Sequence, residues 1–315
     1  MSTHPLHEPA IHVASAEPVG VPSVDPVASS RWLSRMPAES PWLHEEVGVR
    51  MAERLGWIQQ PPRSWLDWNP ALGGWNASRL VAERYKKSEY FLPSPIYLKG
   101  RSAPNKEFSF WEKIRSPFAL GESSKIIPAG GRVDMVWANM LLHAADRPRD
   151  LMQKWFQLLN VNGFLMFSGL GPDSLGELRL VYQKMGWHDP THALTDMHDW
   201  GDMLVASGFA DPVMDTERVV LTYSNAEHLL SDLRSLGRNL STQRKRTLCS
   251  RAWRNQVIHA LELHGPRTAD GRLLLTFEVI YGHAYRGVAR YAVAPETRLS
   301  MTDMKELLHS GKRLR

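Results

Sequence analysis

The sequence predicts an α/β fold, a doubly wound and mostly parallel sheet with helices on both faces. Two short apolar runs, Val133 to Ala138 and Phe164 to Phe167, read as strands. Between them Pro148 and Asp150 open a segment in which Leu151, Trp155, Leu158 and Leu159 recur at helical spacing, and Asn162-Gly163 turns the chain into the second run. Two apolar strands joined by a helix pair in parallel, because a crossover is needed to return the chain to the same end of the sheet; such strands are covered on both faces.

The remaining elements fit around this unit. Residues 1 to 30 are rich in Pro, Ser, Ala and Val and contain no Lys or Arg, the composition of a disordered leader. A helix starts at Pro41-Trp42-Leu43-His44-Glu45-Glu46, carries the stripe Val47, Met51, Leu55 and Ile58, and stops before Pro61-Pro62. Trp65 to Trp68 is the expected first strand, followed by a helix from about Ser78 to Tyr85 and a second strand at Tyr90-Phe91-Leu92. Residues 93 to 130 are punctuated by proline and give no clear period. A helix is expected from Pro172 to Met185 with Leu175, Leu178 and Tyr182 on one side; Thr195 to Trp200 caps another, which closes at Gly208-Phe209. Asp215 to Tyr223 suits a sixth strand and Phe277 to Tyr281 a seventh, with a basic, mostly helical insertion between them over residues 225–265. The expected division is a leader over 1–30, one domain over 31–286 and a tail over 287–315 with a short helix near Thr302 to Leu308.

Composition narrows the class. With 315 residues, 43% hydrophobic and 23% charged, the chain has the profile of a globular protein with a large core. Its single cysteine, Cys249, excludes an internal disulfide and a cysteine-cluster zinc site, and points to a reducing, cytoplasmic setting. No apolar run approaches the ~20 residues that span a membrane, and the start of the chain has neither the basic head nor the apolar core of a secretory signal. The net charge of +5 is compatible with nucleic acid, with an acidic carrier protein, or with solubility alone.

The order VDMVWANMLLH, then LLNVNGFLMFSGLGPDSLGELR, resembles the fourth and fifth strands of the class I S-adenosylmethionine-dependent methyltransferases. More narrowly, FSGLGPDSLGELR, DMHDWGDMLVASGFADPVMD and TFEVIYGHAY are similar to the malonyl-acyl-carrier-protein O-methyltransferase family of biotin synthesis. The resemblance runs from about Trp42 to Tyr285 and is closer in its second half. It implies a Rossmann-like seven-stranded sheet whose last strand is antiparallel, S-adenosylmethionine as cofactor, and a helical lid where the basic insertion lies.

It also implies site residues. Where the family carries D-x-G-x-G-x-G after the first strand, this sequence reads LDWNPALGGWN, with Asp67, Gly73 and Gly74 matching and Trp68, Asn69 and Pro70 replacing compact residues. The family's acidic residue after the second strand is replaced by Pro93-Ser94-Pro95. Glu122 falls where the family contacts the adenine amino group, and an exposed loop glutamate is the other reading. Asn139 and Met140 follow the fourth strand and complete the cofactor-binding set; His143 beside them reads as a capping or core histidine. Methyl transfer to an ionised carboxylate needs positioning rather than a general base. Arg179, directly off the fifth strand, is the candidate cation for orienting that carboxylate, the alternative being a surface arginine. His192, His198 and His283 lack the spacing of metal ligands. Arg244, Lys245, Arg246, Arg251 and Arg254 make the insertion a docking face for an acidic acyl carrier protein or a solvated helical face; nucleic acid is disfavoured for want of interleaved aromatics. Methyl transfer to a malonyl-carrier carboxylate is the implied reaction, against a donor-free relative that binds the carrier only, or a methyltransferase with another acceptor such as RNA.

Overall fold

The structure is a computed structural model and describes residues 24–37, 39–95, 124–244 and 250–287. Seven strands form one sheet: β1 (Ser64–Asp67), β2 (Glu89–Leu92), β3 (Ser124–Ile126), β4 (Val133–Ala138), β5 (Leu159–Leu170), β6 (Ala210–Tyr223) and β7 (Leu273–Tyr285). Their order is β3-β2-β1-β4-β5-β7-β6, with β7 antiparallel to both neighbours and the other pairings parallel. This is the predicted Rossmann-like sheet. The order reverses between β1 and β4, and the crevice at their carboxyl ends is where open α/β sheets bind ligands.

Successive residues of β1 feed opposite cores. Trp65 belongs to the core under α2 (Trp42–Arg54), α4 (Trp75–Arg84), α6 (Gly176–Lys184), α8 (Ala226–Leu236) and α9 (Arg251–His264) on one face. Leu66 belongs to the core under α5 (Pro148–Leu158) and α7 (Met197–Ala206) on the other, which includes Trp155 and Trp200. Both faces are therefore dry, which is why the strands read as continuous apolar runs. Among the described residues no helix is long and apolar enough to cross a membrane.

Several expected boundaries move. The reading of residues 1–30 as a disordered leader runs too far, because α1 (Pro26–Leu33) is a helix with Pro26 in its first turn and the Asp25 carboxylate accepting from the Val27 and Ala28 amides at 2.9 Å each. Trp32 anchors it against Leu72, Ala144 and Leu240. Residues 1–23 and the tail helix at Thr302 to Leu308 lie outside the described residues. Asn162-Gly163 does not separate helix from strand; Asn162 takes a left-handed φ of 65° inside β5, where the register against β4 shifts between Val133 and Met135. The helix expected from Pro172 starts at Gly176, since the Gly171 amide and the Ser174 side chain bond the backbone of Glu278 and hold that stretch to β7.

Gly282 of β7 faces Phe167 of β5, and a methyl group there would clash with the edge of the phenyl ring at Cε1 and Cζ and lie 2.9 Å from the Met214 sulfur. Gly282→Ala is expected to lower stability by ~1–3 kcal/mol through overpacking, read as a fall in the denaturation midpoint. An unchanged midpoint would show that Phe167 yields freely.

Candidate functional site

At the switch point the residues predicted from sequence converge, but chiefly on one another. Asp67 ends β1 at 2% exposure. Its carboxyl accepts from the Ser78 hydroxyl, yet burial pushes its pKa up to about 7, with the charge of Glu45 adding to the rise. The segment after it is not an open glycine turn. Asn69 caps a single helical turn, α3 (Pro70–Gly73), by accepting from the Leu72 amide at 3.3 Å, with Pro70 in the first helical position.

Gly73 and Gly74 permit close approach, and what approaches is protein. A Cβ on Gly73 would lie 3.1 Å from the Asn139 carbonyl oxygen. Gly74, at φ 118°, would place one 2.7 Å from a Glu45 carboxylate oxygen. The first amides of α4 are taken: Trp75 donates to the Ser40 hydroxyl at 3.2 Å, and Asn76 and Ala77 donate to the Glu45 carboxylate at 3.2 and 3.0 Å. A carboxylate at that position is matched to the helix dipole.

Asn139, just beyond β4, is 3% exposed and fully engaged. Its amide nitrogen donates to the His44 carbonyl at 2.7 Å and to the Gly73 carbonyl, while its oxygen accepts from the Ser168 hydroxyl at 2.6 Å. Ser168 in turn accepts from the Met140 amide at 2.9 Å, which fixes Met140 at φ 51°. Around this network lie three buried histidines. His44 Nδ1 meets the Leu72 carbonyl at 2.7 Å and His192 Nε2 the His143 carbonyl at 2.8 Å. Burial holds His44 down to about 4 and lowers His143 and His192, the charge of Arg179 adding to the effect on His192. Arg179 is half-buried on α6 and donates to the Pro172 carbonyl at 2.7 Å.

Glu122, Lys245 and Arg246 lie outside the described residues. In the basic insertion Arg244 is a correction to the docking face: half-buried, it pairs with Asp25 at 3.0 Å and holds α1 rather than facing solvent. Arg251 and Arg254 are exposed on α9, Arg254 3.2 Å from Glu227. A broad cavity lined by Trp57, Arg63, Asp134, Asn162 and Tyr285 lies at the opposite, amino-terminal edge of the sheet and contains none of the site residues.

No family model matches the sequence. The malonyl-[acyl-carrier protein] O-methyltransferase of Laribacter hongkongensis is 36% identical over 79% of this chain and 84% of its own length. The chain belongs to the malonyl-[acyl-carrier protein] O-methyltransferase family. Another relative of that name, from Gallionella capsiferriformans, is 34% identical over 79% of this chain and 85% of its own length. Among solved structures the YcgJ protein of Bacillus subtilis aligns with 76% of this chain and 98% of its own, at 12% identity and a TM-score of 0.47.

Membership of this methyltransferase family raises the question of whether S-adenosylmethionine, with its amino-acid carboxylate, ribose hydroxyls and adenine, fits these residues. In the described arrangement it does not. The α4 amides suited to a carboxylate hold Glu45, the Asn139 amide holds two carbonyls, and β2 runs into Pro93-Ser94-Pro95 with no acid for ribose hydroxyls. Sequence reasoning missed Glu45, Ser78 and Ser168 as members of this site. Asn69-Pro70 was a readable helix-start signal; Glu45 had none, because its partners lie 31 and 32 residues away.

Proposed function

We propose that this chain methylates the free carboxylate of a malonyl thioester carried on acyl carrier protein, as the names of its relatives state of them, with S-adenosylmethionine as donor. The observation that carries the reading is the 36% identity across 79% of the chain and 84% of the relative, a likeness to a whole protein rather than to one shared module. A malonyl carboxylate, with an ordinary pKa of ~4, is ionised at neutral pH. The work left to the protein is to hold it, orient it and exclude water.

Arg179 is our choice for the orienting cation, because it lies just past the carboxyl end of β5 and one bond to the Pro172 carbonyl fixes a guanidinium that has five donors. We assign the donor side to Asp67, Gly73, Gly74, Asn139 and Met140, which receive the donor only after Glu45 leaves the α4 amides, and assign Glu122 to the adenine amino group by its place in the sequence alone. The segment over 225–265 serves as lid and carrier face, with Arg251 and Arg254 as its cations. A second reading, carrier binding without methyl transfer, is favoured by Glu45 on the α4 amides and the missing acid after β2.

The test is transfer of an isotopically labelled methyl group to malonyl-loaded carrier, with acetyl-loaded carrier as control. Label on the malonyl form alone is expected. Binding of malonyl-carrier with no label transferred would replace the first reading by the second.

A further inference from the structure

We infer that Glu45 is an internal competitor for the donor site, its carboxylate standing where the carboxylate of an amino-acid-bearing ligand docks. The inference rests on the methyltransferase reading for the identity of that ligand and on the geometry of α2 and α4 for the rest.

The carboxylate lies at the switch point, on the first turn of a ten-residue helix that directly follows β1 and α3. Both of its oxygens are used, one on the Asn76 amide and one on the Ala77 amide, the two-point contact a free carboxylate would make. A local cap would serve stability as well, but position 74 is a glycine whose added Cβ would strike Glu45 itself. The arrangement also sets Glu45 close enough to the buried Asp67 to raise its proton affinity.

The rest of α2 is firmly seated. Leu43, Val47 and Met51 are 0–1% exposed, and Gly48 lets the helix approach Ala77 and Asn139. The Glu45 side chain, by contrast, is only half-buried, so it leaves by rotating toward solvent while the helix stays in place. A ligand carboxylate then inherits the two amides, and the negative charge that has to withdraw sets the threshold for occupancy.

The test compares S-adenosylhomocysteine, which carries the amino-acid carboxylate, with methylthioadenosine, which does not. Both are titrated calorimetrically into the full chain, into Glu45→Ala and into Glu45→Gln. Glu45→Ala is expected to bind S-adenosylhomocysteine roughly tenfold or more tighter than the parent, the scale of one charge-assisted contact, with methylthioadenosine unchanged. Glu45→Gln keeps the shape and loses the charge; it is expected to show a smaller gain of the same sign, and it carries the test if the alanine variant does not fold. Equal affinity for S-adenosylhomocysteine in all three chains, tight or absent, overturns the inference. So does a parallel gain for methylthioadenosine, which would mark general loosening. Failure of labelled methyl transfer to malonyl-carrier alongside the expected affinity gain would remove the acceptor assignment and leave the competitor standing.

Discussion

Asn139→Ala is expected to destabilise the protein by about 3 kcal/mol, because it removes a donor from two buried carbonyls, those of His44 and Gly73, and the acceptor of the Ser168 hydroxyl. The side chain joins α2, α3 and β5 through a single amide, so no neighbour can take over its bonds without moving an element. Water is a poor substitute where every surrounding group is nearly inaccessible. Asn139→Asp is expected to do worse, since an acceptor would then face two carbonyl oxygens. Urea denaturation reads both. A loss below about 1 kcal/mol for the alanine variant would show that the network contributes little.

Stability against pH should carry two opposed contributions from the same crevice. His44 is held near 4 by burial, below its ordinary 6.5. The unfolded chain therefore takes up a proton below 6.5 that the folded chain refuses: this contribution is full above 6.5 and is lost as pH falls toward 4, on the order of 3 kcal/mol. His143 and His192 act in the same direction. Asp67 does the reverse. Its folded pKa of about 7 lies above the ordinary 3.8, so the folded chain keeps a proton the unfolded chain releases; that contribution is full below 3.8 and is lost as pH rises through 7, on the order of 4 kcal/mol. The parent chain should show a shallow profile between these limits. Asp67→Asn removes the falling limb, so its melting temperature should climb steadily with pH over the same window, whatever its absolute value. A variant profile parallel to that of the parent would mean that Asp67 is ionised in the folded chain.

The central β4-α5-β5 unit was legible because dry parallel strands must be apolar on both faces, and the stripe of α5 has to reach one of the two cores. Strand ends were less legible. β6 and β7 extend beyond the segments read as strands because the ladder between them continues through Gly282 and His283, which pair with Met214 and Val213 and break the apolar run. In the site, Asp67, Gly73, Gly74, Asn139 and Met140 were located by their order along the chain, and they do meet at one sheet edge. Their partners were not legible. Ser168 reaches Asn139 across 29 residues and His44 across 95, so no local period or spacing records the contact. The turn after β1 shows the opposite failure: Asn69 and Pro70 were read as damage to a glycine loop, although together they encode a capped helical turn.

The place of β7 between β5 and β6 has a consequence for how the protein is made. β5 and β6 never pair directly, and the strand that joins them is the last of the seven to leave the ribosome. During synthesis the nascent chain passes through a stage in which five parallel strands can assemble while the inner edge of β5 stands open and β6, fourteen residues long, has no partner at all. Both exposed edges are templates for pairing with other chains. Translation stopped before Leu273 leaves them unguarded, so premature termination in this gene should yield aggregation-prone fragments rather than a soluble, trimmed protein.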